Sequence, residues 1–153
     1  MKKTLQILGI IFAIILIGIA CIAGYVATVG KKLDASAQQY VDAAVPAIVA
    51  NWSEKELIAR SARQLMKSSS PEQLEKMFTW VGTLGPMKKY CGAKGSSNVF
   101  VSPQNGKIVS ARFIACGQFE KGDATIELAL LQNEKQTWEI AGFRVNSNAL
   151  LPH

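Results

Sequence analysis

Leu5–Val29 reads LQILGIIFAIILIGIACIAGYVATV, 25 consecutive residues without a charge. As a helix rising 1.5 Å per residue it reaches about 37 Å, more than the roughly 30 Å hydrocarbon core of a bilayer. A helix apolar on all faces for seven turns has no place in a small soluble domain. Lys2 and Lys3 stand before the stretch, and Lys31 and Lys32 stand after it. The segment is therefore expected to contact a lipid bilayer from Leu5 to Val29.

Three readings compete for it. A cleaved secretory signal carries an apolar region of roughly 7–15 residues and a small-x-small site. Cys21-Ile22-Ala23 supplies such a site, but the apolar run continues to Val29. A lipoprotein signal would acylate Cys21; Ala20 suits that pattern, whereas Gly18 stands where a Leu-like residue is expected. An uncleaved signal-anchor accounts for the whole length and for the lysine pair that ends it, and it is the leading reading. A pilin-like start is set aside, because no acidic residue lies in the segment. The amino terminus with Lys2 and Lys3 argues for a cytoplasmic start, against the pull of Lys31 and Lys32. The expected arrangement is a single-pass protein of the bacterial inner membrane, with the domain in the periplasm or outside the cell.

Two regions follow, 1–32 as the anchor and 33–153 as one domain. The whole chain carries a net charge of +6 and is 49% hydrophobic. Four of its 17 basic residues and none of its 11 acidic ones fall in 1–32, which leaves 13 and 11 in the domain, a net of +2. The basicity thus belongs mostly to the ends of the span. No run of more than two Lys or Arg occurs, so a clustered nucleic-acid face is not expected.

In the domain, Leu33, Ala37, Tyr40, Val41, Ala44, Ile48 and Trp52 recur at helical spacing, with Asp34 as N-cap of a helix over 34–52. Pro46 should kink or end it. Ser53 and Glu56 have capping-box spacing for a second helix carrying Leu57, Ile58, Ala62, Leu65 and Met66. Ser70, Pro71 and Gln73 start a third, with Leu74, Met77, Phe78 and Val81 on its apolar side. Trp80 falls off that side and is expected to be exposed, a candidate interface residue. Gly82, Gly85 and Pro86 end the helix.

Beyond Pro86 the period changes to two. Strands are expected at Lys107–Phe119, Ala124–Gln132 and Thr137–Asn146. A short first strand, Met87–Ala93 with Val99–Val101, is expected to be split by a loop at Gly95-Ser96-Ser97-Asn98. Val109, Ala111, Phe113, Ala115 and Phe119 share one face. Ile108, Ser110, Arg112, Ile114, Cys116 and Gln118 share the other. In the last strand Ala141-Gly142 shifts the phase, the sign of a β-bulge. The fold class is α+β: a transmembrane helix, then about three helices packed on a curved antiparallel sheet of about four strands.

That element order, with the closing segment Trp138-Glu139-Ile140-Ala141-Gly142-Phe143-Arg144-Val145-Asn146, resembles the nuclear transport factor 2-like (cystatin-like) superfamily over residues 34–148. The resemblance implies a cone of curved sheet around N-terminal helices. Its members include isomerases, dehydratases, ligand binders and structural assembly domains, so it implies no single activity. Its enzymes place an acid or a His–Asp pair inside the cone. The single histidine here is the terminal His153, and Glu120, Asp123 and Glu134 fall in or beside turns. Glu127 and Glu139 alternate with apolar strand neighbours and are expected to face water.

Arg112, mid-strand between Ser110 and Ile114, can reach a ligand carboxylate or cover the sheet edge. Met66, Met77, Phe78, Trp80 and Trp138 line an apolar pocket or fill the core, and Phe143 is a further ligand or interface candidate. Cys91 and Cys116 are expected on neighbouring strands. In an oxidising compartment they would form a disulfide contributing about 3 kcal/mol, with two buried thiols as the alternative. No metal-ligand set and no cofactor motif is present. The expected function is a membrane-anchored, non-catalytic binding or assembly module whose sheet face takes a protein partner or a second copy. An isomerase- or dehydratase-like enzyme, or an apolar-ligand binder of the same fold, is the alternative.

Overall fold

A computed structural model describes residues 2–151, with side-chain surroundings from residue 11 onward except at Val26. His153 lies outside the described residues. The chain divides into two compact units, Met1–Leu33 and Asp34–His153, one residue from the expected boundary.

Helix α1 (Lys2–Val49) contributes to both units. Its N-terminal part is long and apolar enough to cross a membrane, with a mean hydropathy of 2.5 over its most apolar window and none of that window buried. The expected helix start at Asp34 does not occur: no proline separates Val29 from Ala35, the lone Gly30 does not interrupt the turns, and the helix runs through. The helix also passes through Pro46 and ends at Val49. Within the second unit its buried residues are Ala37, Val41, Ala44, Val45, Ile48 and Val49. That is the three- and four-residue recurrence of a single core-facing stripe.

The expected second helix is two. Helix α2 (Glu54–Ala59) begins at Ser53, whose side chain accepts from Glu56 N at 3.3 Å. The Glu56 carboxylate does not return to complete the capping box but pairs with Arg60. Helix α3 (Arg63–Ser68) follows. The break between them has a tertiary cause. Arg60 O accepts from Ile140 N, and Ile140 O accepts from Ala62 N, each at 2.8 Å. The last strand thereby takes the backbone groups that a continuous helix would have used. Helix α4 (Pro71–Val81) starts as its sequence requires: Ser70 and Gln73 form a reciprocal capping box with Pro71 in the first turn.

The sheet is an open antiparallel meander, β1 (Met87–Ser102), β2 (Gly106–Phe119), β3 (Gly122–Gln132) and β4 (Trp138–Asn146), in that spatial order. Its inward faces follow the period-two reading. Val109, Ala111, Phe113, Ala115 and Phe119 are buried, as are Ala124, Ile126, Leu128 and Leu130. Ala141 is skipped in the β3–β4 ladder, where Ala129 faces Gly142 and Leu130 faces Ile140, so the bulge lies where the phase shift places it.

The first strand departs from expectation. It is not split: Ala93 to Ser102 pair without interruption with Ala115 to Gly106. Gly95 stands opposite Phe113 within the ladder, and a Cβ there would lie 2.0 Å from Arg112 O. The glycine serves a close approach of two strands and not a turn. The true turn follows Ser102, with Gly106 at φ +67.

Helices and sheet are joined by specific contacts. Trp138 Nε1 donates to Ser36 Oγ at 2.7 Å, and Gln38 Nε2 donates to Ala93 O at 2.8 Å. The carboxylate of Asp34, free of any capping role, accepts from Ser97 N at 2.6 Å and from its hydroxyl. The Trp52 ring stacks on Phe119 with centroids 4.9 Å apart, and its Nε1 donates to Gly85 O at 2.8 Å. These contacts hold Trp52 at φ +52, a conformation rare for a bulky residue.

Candidate functional site: the outer sheet face

The inner side of the sheet is filled. Among the described residues every buried side chain is apolar and none is polar or charged. Glu127 and Glu139 are half-buried and hydrogen-bonded to Asn146 and Asn133 respectively, while Asp123, Glu120 and Glu134 are exposed. Tyr40 and Tyr90 are half-buried. Burial raises both phenol pKa values, and for Tyr90 the hydrogen bond to Asp42 at 2.7 Å adds to the rise. Both tyrosines stay protonated at neutral pH. Tyr90 thereby helps to hold β1 to α1, a structural role.

Open space lies on the other face. A shallow groove of about 520 Å³ runs across β1–β4. Its floor is low because the outward residues there are small: Ser96 on β1, Ala129 on β3 and Gly142 on β4. A Cβ at 142 would already stand 3.2 Å from Ala129 Cβ. Three cations stand round it, Lys94, Arg112 and Arg144, with Glu127 as the one carboxylate. Ile114 adds an apolar side chain that is 54% exposed. Among the described residues the only ion pair within 4.0 Å is Glu56–Arg60, so neither Arg112 nor Arg144 is committed to an internal acid. Arg112 faces Ser96 and Ala129 across the ladder, neighbours too small to cover it. A free guanidinium fork beside exposed aliphatic surface fits an amphipathic partner with carboxylates, which it can grip bidentately.

The other residues singled out from sequence separate. Trp80 is 51% exposed on α4, beside Glu72, Glu75, Lys76, Thr79 and Thr83 in a second shallow depression. Trp138 is 7% exposed and bonded to Ser36, so its ring belongs to the core. Phe143 faces inward and stacks on Phe78 at 6.1 Å. Met66 is exposed and Met77 half-buried. Arg112, Trp80 and Met66 present free surface, on different elements, and the structure does not bring them into one site.

The expected disulfide is not formed: Cys91 and Cys116 are both free. The cause is a register shift between Tyr90 and Gly92, which leaves Gly92 rather than Cys91 opposite Cys116. The two thiols still line one shallow depression. Burial first, and the neighbouring Cys91 thiol second, push the Cys116 thiol up, which keeps it protonated and a weak nucleophile at neutral pH.

Sequence reasoning missed the groove itself. Its signal was present in the alignment of small residues across the strands, but reading it requires the register, which a single strand's pattern does not give. No protein-family model matches the chain, and no curated protein or solved structure matches it either. The resemblance to the nuclear transport factor 2-like superfamily therefore rests on element order and the closing strand.

Proposed function

We propose that this chain is a membrane-tethered, non-catalytic binding or assembly module, with the N-terminal part of α1 as its uncleaved anchor and the outer sheet face as its binding surface. The observation that carries this reading is the contrast between the two faces of the sheet. The inner face is packed with apolar side chains throughout, and an interior without ionisable groups offers no acid or base to a substrate. The outer face holds unpaired cations round an open groove, which suits recognition. The order of helices followed by a meander supports kinship with the nuclear transport factor 2-like superfamily, which includes structural assembly domains. Lys2 and Lys3 support an amino terminus in the cytoplasm of a bacterial cell and a domain outside it.

Site-specific photo-crosslinking tests the binding surface. With a photoreactive residue in place of Ile114, the full chain in its membrane is expected to give an adduct of one discrete mass, from a protein partner or a second copy. The same residue in place of Lys121, in the β2–β3 turn, is expected to give none. No adduct from position 114, or equal smears from both positions, contradicts the proposal.

A further inference from the structure

The β1–β2 hairpin projects beyond the rest of the sheet. The β2–β3 ladder begins at Ser110–Leu131, whereas β1 and β2 remain paired for four further rows, from Val99–Val109 to Ser102–Gly106. At roughly 3.3 Å per residue this arm extends about 13 Å. It is apolar where it should be polar. Val99, Phe100 and Val101 are three consecutive exposed residues, with Phe100 at 65% and Val101 at 70%, and Ile108 stands opposite Phe100. A run of exposed apolar side chains is a fault in a soluble hairpin unless something covers it.

The geometry of the domain indicates what covers it. Helix α1 runs antiparallel to β1: Ala50 O accepts from Met87 N at one end, and Asp34 accepts from Ser97 N at the other. Continuing β1 past Ser97 therefore carries the arm past Asp34, at the end of the domain where the chain joins the apolar segment. Asp34 follows that segment by only a few residues, Gly30 to Leu33. Residues 98–107 contain no acid and end on Lys107. Lys107 borders an open groove that also carries Arg63, Lys67 and Lys135 against Glu134 and Glu139. This end of the domain thus joins a protruding aromatic and aliphatic tip to a net positive flank, the combination that enters the headgroup layer of an anionic bilayer.

We infer that the tip of the β1–β2 hairpin, centred on Phe100 and Val101, inserts into the surface of the membrane that anchors the chain, as a second and shallow contact. The inference rests on the tether proposed above. Its effect is to hold the domain against the bilayer in one orientation, with a fixed aspect of the outer sheet face turned to its partner.

The test uses the full chain in phosphatidylethanolamine–phosphatidylglycerol nanodiscs, one chain per disc. Single cysteines at 12, 100 or 121 in a C21S, C91S, C116S background carry a nitroxide, and its collisions with lipid-soluble oxygen and a water-soluble nickel chelate are compared. Oxygen is expected to dominate at 12 and at 100, and the chelate at 121. Chelate dominance at 100 with oxygen dominance at 12 overturns the inference and leaves the tether standing. Chelate dominance at 12 overturns both. Oxygen dominance at 121, or a label at 100 screened from both reagents as in a contact between copies, also overturns it. Should the serine background fail to fold, F100W in the otherwise native chain keeps the question open to measurement. Brominated lipids are then expected to quench a larger fraction of its emission than of the parent's, and equal quenching overturns the inference.

Discussion

Trp138→Ala is expected to lower the melting temperature of the domain by roughly 10–20 °C, and Trp80→Ala to move it by no more than about 2 °C. From sequence both tryptophans are candidates for an apolar pocket or the core, with Trp80 also expected at the surface. In the structure Trp138 is 7% exposed, at the start of β4, with its Nε1 on Ser36 of α1. Truncating a buried Trp costs about 3–5 kcal/mol, from lost transfer free energy and the cavity left behind. For a domain of this size each kcal/mol corresponds to roughly 3–5 °C. Trp80 packs little, and surface substitutions stay within about 0.5 kcal/mol. Trp138→Phe separates the two contributions: most of the ring volume stays and the bond to Ser36 goes. Because Ser36 is exposed and water can replace the lost donor, the expected loss is about 1 kcal/mol. Thermal melts of the full chain in detergent, followed by the emission of the remaining tryptophans, check all three. An equal response of Trp138→Ala and Trp80→Ala would show that α1 does not pack on β4 as described.

Gly95→Val is expected to cost about 3 kcal/mol, near the upper end of the range for overpacking, and to lower the melting temperature by roughly 10 °C. A Cβ at position 95 would lie 2.0 Å from Arg112 O and 2.7 Å from Phe113 Cα. These are backbone atoms of the paired strand, which cannot swing aside as the end of a side chain can. Gly82→Ala serves as the contrast. There the backbone is helical at φ −60 and ψ −20, and nothing lies within 4 Å of the added carbon. Its expected effect is neutral to slightly stabilising, by at most about 1 kcal/mol. The same melts decide it, and a harmless Gly95→Val would contradict the uninterrupted first strand.

These two positions also show where a sequence is legible and where it is not. The faces of β2 and β3 follow from alternation, because period two leaves only one way to bury Phe113, Ile126 and Leu128 together. The start of α4 at Ser70-Pro71-Gln73 and the bulge at Ala141-Gly142 are likewise local signals with local causes. Gly95 was misread because glycine marks both turns and close strand approaches, and only the partner strand distinguishes them. The division of α2 from α3 depends on Ile140, some eighty residues away in sequence. Asp34 has the chemistry of a cap, but its carboxylate finds Ser97 instead. At the candidate site, the exposure of Arg112 was legible from alternation. The groove beside it was not, since it is made by small residues on three different strands. Alternation leaves Trp138 open between a pocket and the core, and Phe143 as a ligand or interface candidate, because the pattern of one strand does not tell a core aromatic from an interface one.

Both the binding face and the hairpin arm act at a membrane only if the first 32 residues stay attached, so the most direct measurement is the state of the chain recovered from membranes. After carbonate washing, the pellet is expected to hold the chain, and its intact mass is expected to match the full sequence through the amino-terminal lysines and the whole apolar segment. A chain released by carbonate, shortened by cleavage after Ala23, or beginning at an acylated Cys21 would contradict a signal-anchor.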